Sequence, residues 1–244
     1  MLVKQKIKYI QSLGQKKFRE QEGLFIAEGP KIVKELLQAD NANINELYAI
    51  KEWINENKEI TSNNEVVEVT PIELEKISQL TTPNKVVAVV KQFNEEVKIV
   101  TKGKITLVLD VIQDPGNFGS IIRIADWFGI LQIVCSNDCA DIYNPKVVQS
   151  TMGSIARVKI IYTDVAIWLD QQNEIRIYAT TLEGKDVTKM KPVKEGIIII
   201  GNESKGIREE LIQFANEKIT IPKKGKAESL NAAIATGIIL SHII

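Results

Sequence analysis

Apolar residues fall along this chain in two alternating arrangements, short continuous runs and repeats at helical spacing. The run Leu24-Phe25-Ile26-Ala27 predicts a strand, and after Gly29-Pro30 the residues Ile32, Val33, Leu36 and Leu37 recur at the interval of one helix face. The alternation continues through a strand over 46–50, a helix over 52–57, a strand over 66–69, a helix over 72–79 opened by Pro71, and the run Val86 to Val90. Strands and helices in this order predict a small α/β layer domain over 1–92. From Phe93 to Gly103 the chain turns polar and charged, so a linker is expected over 93–104 and a second domain over 105–244.

That second part opens on Thr106 to Asp110, an apolar run of the kind found in sheets covered on both faces. Further strands are expected over 132–135, 158–161, 176–180, 197–200 and 218–221, with helices over 145–152, 165–171, 209–215 and 229–243 between or after them. The result is an open α/β sheet, mostly parallel. No apolar run approaches the roughly 18 residues needed to span a bilayer, so no membrane anchor is expected.

Composition narrows the chemistry. With 44% hydrophobic and 25% charged residues, the chain has the make-up of a globular protein and is neither collagen-like, disulfide-rich nor disordered. Lys+Arg and Asp+Glu are both 31, so any surface for nucleic acid must be local. One candidate is the start of the chain, where Lys4, Lys6, Lys8, Lys16, Lys17 and Arg19 face the single acid Glu20; a solvated helix face explains the same residues equally well. Cys135 and Cys139, without paired C-x-x-C motifs or a signal peptide, fit a reducing cytoplasm and small packing roles, and argue against a metal site. Because His242 is the only histidine, triad hydrolases and histidine-based zinc chemistry are poor matches.

Three polar loops follow apolar strands, where ligands of open α/β sheets collect. The first, Asp114-Pro115-Gly116-Asn117-Phe118-Gly119-Ser120, precedes a helix containing Ile121, Ile122, Ile124 and Ala125, with Arg123 about one turn in. The second, Gly201-Asn202-Glu203-Ser204-Lys205-Gly206, has the spacing of a phosphate loop, yet Ile207-Arg208 stand where the Lys-Ser/Thr pair belongs, which argues against a nucleotide triphosphatase. In the third, Ile221-Pro222 leads through Lys223 and Lys224 to Ser229-Leu230-Asn231, and Ser229 or Glu228 is a plausible helix cap. Taken singly, each loop is explained as a turn with a cap.

Together the three loops resemble the motifs of the SpoU branch of the SPOUT methyltransferases, RNA 2′-O-ribose methyltransferases. Motif one is similar to Asp114-Pro115-x-Asn117-x-Gly119-x-x-x-Arg123, motif two to Gly201-Asn202-Glu203-x-x-Gly206, and motif three to Ile221-Pro222 with Ser229-Leu230-Asn231. The first half resembles the family's accessory RNA-binding domain through Lys17 to Arg19, Phe25 to Gly29 and the stretch from Thr82-Pro83-Asn84 to Val90. The resemblance implies a small N-terminal α/β RNA-binding domain and a C-terminal SPOUT domain with a deep trefoil knot. It implies S-adenosyl-L-methionine as cofactor, resting on Gly201, Gly206, Ile221 and Leu230, with Thr180 and Leu182 closing over it. It implies a cytoplasmic homodimer acting on RNA, ribosomal more than transfer RNA, with Asn117, Arg123, Glu203, Ser229 and Asn231 as catalytic residues.

Arg123 would reach toward the partner subunit's cofactor in such a dimer. Since a guanidinium stays protonated at neutral pH, we expect it to hold a phosphate or stabilise the developing 2′-alkoxide as a cation. Lys16, Lys17, Arg19, Lys223 and Lys224 are the expected RNA contacts. A non-catalytic RNA-binding factor with the same fold is the alternative; a nicotinamide-dependent oxidoreductase lacks its Gly-x-Gly-x-x-Gly.

Overall fold

The computed structural model describes residues 2–62, 64–93 and 99–244. It divides into two compact units, the first made of Met1–Glu95 with Asp141–Arg157, the second of Glu96–Ala140 with Val158–Ile244. The sequence-based boundaries differ from this division in one respect, because residues 141–157 lie within the second predicted domain but pack in the first unit. Residues 94–98 of the expected linker lie outside the described residues.

The first unit begins with helices α1 (Lys4–Ser12) and α2 (Lys16–Glu22). Then come β1 (Leu24–Glu28), α3 (Pro30–Leu37), β2 (Ile44–Ala49), α4 (Lys51–Glu56), α5 (Lys58–Thr61), β3 (Val66–Glu68), α6 (Pro71–Ile77) and β4 (Val86–Lys91). The strands form a four-stranded sheet in the order β1-β4-β2-β3. Only β2 and β3 run parallel; β4 is antiparallel to both its neighbours. Thr70 caps α6 in a reciprocal capping box with Glu73, with Pro71 at the first helical position. Ile10, Leu13, Ile26, Tyr48, Leu74, Ile77, Val87 and Val89 close the core on one face.

Residues 141–157 complete this unit. Tyr143 stacks on Phe25 with ring centroids 4.9 Å apart, and its hydroxyl accepts the Phe93 amide at 2.8 Å. Arg19 is buried, only 2% exposed, with Nη1 donating to the carbonyls of Leu13 and Gly14 and Nη2 paired with Asp141 at 2.5 Å. The expectation that Arg19 contacts RNA is therefore corrected: its charge is spent inside the fold, whereas Lys16 and Lys17 are exposed.

The second unit runs β5 (Ile105–Leu109), α7 (Pro115–Trp127), β6 (Gln132–Ser136), then, beyond α8 (Pro145–Thr151) of the first unit, β7 (Lys159–Thr163) and α9 (Val165–Asp170). It continues with β8 (Ile177–Asp186), β9 (Gly196–Ile200), α10 (Glu209–Ile212), β10 (Glu217–Thr220) and α11 (Ala232–Ile243). All six strands are parallel, in the order β10-β8-β9-β5-β6-β7. Every residue of β6 and β9 is buried, which is why β9 and the centre of β6, Ile133 to Cys135, read as unbroken apolar runs rather than alternating ones. Two expected helices are shorter in the structure. The expected helix over 209–215 ends at Ile212, and α11 starts at Ala232 rather than Ser229, because Asn231 and not Ser229 accepts its first free amides.

Candidate functional site

Parallel pairing sends the loops after β10, β8, β9 and β5 out at one edge of the sheet. Between β5 and β9 the winding reverses, since β5 leads on to β6 on one side and β9 to β10 on the other. Such a switch point leaves a crevice at the strands' carboxyl ends.

The loop after β5 is held from two sides. Val111 adopts a left-handed φ of 57°, a conformation a β-branched residue rarely takes. Its amide donates to Ser136 Oγ at 3.0 Å, and its carbonyl accepts Asn202 Nδ2 at 3.0 Å. Asp114 then caps α7 by accepting the Asn117 amide at 2.8 Å, with Pro115 at the first helical position.

After β9 the chain makes a tight hairpin in which Asn202 and Gly206 exchange backbone hydrogen bonds of 3.0 and 2.9 Å. A Cβ on Gly201 would lie 2.4 Å from both Gly206 C and Ile207 N, so only glycine fits there. Gly206 itself has φ of 69°. The hairpin's far end is tied to β5: buried Asp110 accepts the Arg208 amide at 2.8 Å and pairs with its Nε and Nη2, each at 2.8 Å.

The loop after β10, residues 221–231, exposes Lys223, Lys224 and Ser229 and ends where Asn231 Oδ1 accepts the amides of Ala233 and Ile234. Asn231 Nδ2 donates to Asn117 Oδ1 at 2.6 Å, and Asn117 Nδ2 donates to Glu203 Oε1 at 2.5 Å. Three residues from three loops, far apart in the chain, thus form one hydrogen-bonded string.

Two expected members stand apart from it. Ser229 is exposed and makes no hydrogen bond to the string. Arg123 is the ninth residue of α7, more than two turns in rather than one, and is exposed without a hydrogen bond or ion pair among the described residues.

The loop after β8 is an excursion. Ala179 pairs with Lys218, but the next rungs join Lys185 to Ile219, so residues 180–184 leave the ladder. Thr180 Oγ1 donates to the Ile199 carbonyl at 2.9 Å, Leu182 is 77% exposed, and its carbonyl accepts Thr220 Oγ1 at 3.1 Å. Leu182 and Leu230 are exposed apolar side chains, and Thr180, Gly201 and Ile221 put uncharged backbone at the ends of three neighbouring strands.

The Asp110–Arg208 pair was not singled out by sequence reasoning; the signal was an acid closing an otherwise apolar strand. Cys139, read as packing, accepts the Ile112 amide at 3.3 Å, and hydrogen bonding, chiefly with Cys135, pushes its thiol down to about 7. Burial pushes the Cys135 thiol up. Among the described residues no cluster of three or more His, Cys, Asp or Glu could hold a metal, and no helix is long and apolar enough to cross a membrane.

Known proteins share both halves of this architecture. The family model described as the SpoU rRNA Methylase family matches residues 104–241, and that of the MRM3-like substrate binding domain matches residues 4–88. The 23S rRNA (guanosine(2553)-2′-O)-methyltransferase RlmP of Bacillus subtilis is 28% identical over 98% of this chain and 96% of its own. A crystal structure of AdoMet-bound rRNA methyltransferase from Sinorhizobium meliloti superposes with a TM-score of 0.86 at 30% identity, covering 99% of this chain and 95% of that one. The tRNA (guanosine(18)-2′-O)-methyltransferase of Aquifex aeolicus is 34% identical over 137 residues, which are 54% of this chain and 64% of its own.

Proposed function

The chain belongs to the SpoU rRNA Methylase family, and from that premise we propose that it transfers a methyl group from S-adenosyl-L-methionine to a ribose 2′-hydroxyl of ribosomal RNA. The observation that carries this reading is the string Glu203–Asn117–Asn231, which gathers all three motif loops at the carboxyl edge of the sheet. Ribosomal RNA is favoured over transfer RNA because the rRNA enzyme RlmP aligns along nearly the whole chain, the tRNA enzyme along about half.

When bound, the cofactor supplies an electrophilic methyl on a sulfonium sulfur. The residues present suit it: Leu182 and Leu230 offer apolar cover for an adenosine, backbone at Gly201 and Ile221 offers uncharged hydrogen-bonding groups, Gly206 turns the hairpin beside them, and Glu203 brings a carboxylate. Asn117, clamped between Glu203 and Asn231, orients the ribose, and Ser229 lies two residues from the string on the same loop. Arg123 acts as a cation on a substrate phosphate or on the alkoxide, in the site of a second subunit. A homodimer is supported by two large apolar side chains left exposed on packed helices, Trp127, 85% exposed on α7, and Ile234, 57% exposed on α11. The trefoil knot and a cytoplasmic location belong to the same reading.

RNA binding is assigned to the first unit through Lys16 and Lys17, and to Lys223 and Lys224 beside the site. The test is transfer of labelled methyl to total RNA from a strain lacking the gene, with the product mapped by nuclease digestion and mass spectrometry. One 2′-O-methylated nucleotide in ribosomal RNA is expected. Incorporation into transfer RNA alone would replace the substrate, and none at all with intact cofactor binding would favour a non-catalytic RNA-binding factor.

A further inference from the structure

We infer that the Asp110–Arg208 pair is a positioning device for the proposed reaction, a clasp that sets Glu203 against Asn117. The inference rests on the function proposed above. Asp110 is fully buried at the end of β5, where its amide donates to the Ile200 carbonyl at 2.9 Å. Both its oxygens are used by one residue: Oδ2 accepts the Arg208 amide, and Oδ1 accepts Nε and Nη2, each at 2.8 Å. A charged acceptor fully withdrawn from water needs such partners, and the forked guanidinium meets it in one orientation only.

The clasp controls the segment between β9 and α10. Its near end, Gly201, follows directly from the ladder in which Ile200 pairs with Leu109. Its far end, Arg208, is fixed by Asp110, and the Asn202–Gly206 bridge lies between. Glu203 sits within that bridge, and its carboxylate reaches Asn117 at 2.5 Å. The sheet and the Asn202 bond to the Val111 carbonyl therefore hold the start of the segment, and Asp110 holds its end. Releasing Arg208 frees the part of the hairpin beyond Asn202 and draws Glu203 away from Asn117, whereas Gly201 and Asn202 stay in place.

Arg208→Gln removes the fork and keeps a polar side chain on an exposed position. Its kcat should fall ten- to a hundredfold while the dissociation constant for S-adenosylmethionine, measured by calorimetry, changes less than threefold. In a Glu203→Gln background the same substitution should lower kcat by less than threefold further, because the group being positioned is already gone. Arg208→Lys should recover only part of the loss. Equal losses in both backgrounds, or a lowered melting temperature with unchanged kcat, would assign the pair to stability alone. Amide exchange over residues 201–208 gives a second readout independent of turnover: faster exchange in Arg208→Gln is expected. Unchanged protection overturns the clasp even if wild-type protein proves to methylate no RNA, an outcome that by itself counts only against the proposed function.

Discussion

Turning the Asn117 amide over would set its nitrogen against Asn231 Nδ2 and its oxygen against the Glu203 carboxylate, so its two neighbours leave it one orientation. A residue held in this way can present its remaining hydrogen-bonding capacity to a ribose without first being ordered. Arg123 is the opposite case, an exposed cation with no partner among the described residues. Replacing it should therefore leave the fold alone: Arg123→Ala is expected to melt within about 2 °C of wild type, as surface substitutions without contacts do. The Arg123→Lys enzyme should nevertheless lose at least about tenfold in kcat, since an ammonium lacks the planar fork. Full activity of that variant, in the methyl-transfer assay, would remove Arg123 from the chemistry. Arg19 and Lys17 show what a string of charges cannot reveal. Both are basic residues two apart at the start of the chain, yet Lys17 meets water and Arg19 meets Asp141, a partner 122 residues away.

At the level of elements, apolar runs and helical spacing located most strands and helices to within a few residues, because burial on both faces of the second sheet erases polar interruptions. Runs of this kind carry no information about register. The departure of residues 180–184 from the β8–β10 ladder follows from tertiary packing, with Gly184 admitted because a Cβ there would fall 2.6 Å from the Lys218 carbonyl oxygen. The motif loops were legible through their glycines and capping residues, while the bonds joining them needed the sheet order. Glycine position also separates two substitutions in one hairpin. Gly201→Ala should weaken cofactor binding at least about tenfold in calorimetry, because its Cβ has no room against Gly206 and Ile207. Gly206→Ala meets open space at a φ of 69° and should cost only about 1 kcal/mol of stability, read from urea unfolding. Equal effects from the two would mean that crowding is not what selects glycine at 201.

For the molecule as a whole, a neutral chain that handles a polyanion must confine its basic surface, and balanced totals of 31 and 31 leave that to a few lysines. Light scattering at micromolar concentration should give a dimer, and Trp127→Glu should give a folded monomer that still binds S-adenosylmethionine; a wild-type monomer would remove the shared site. The placement of residues 141–157 has a further consequence, for biosynthesis. When residue 95 has been made, the first unit still lacks Tyr143 for its Phe25 ring and Asp141 for its buried arginine. At elongation rates of about 5–20 residues per second, several seconds pass before those residues emerge. The first unit therefore cannot complete its core until residues 96–140 of the second have been made, so its completion falls after the second unit has begun.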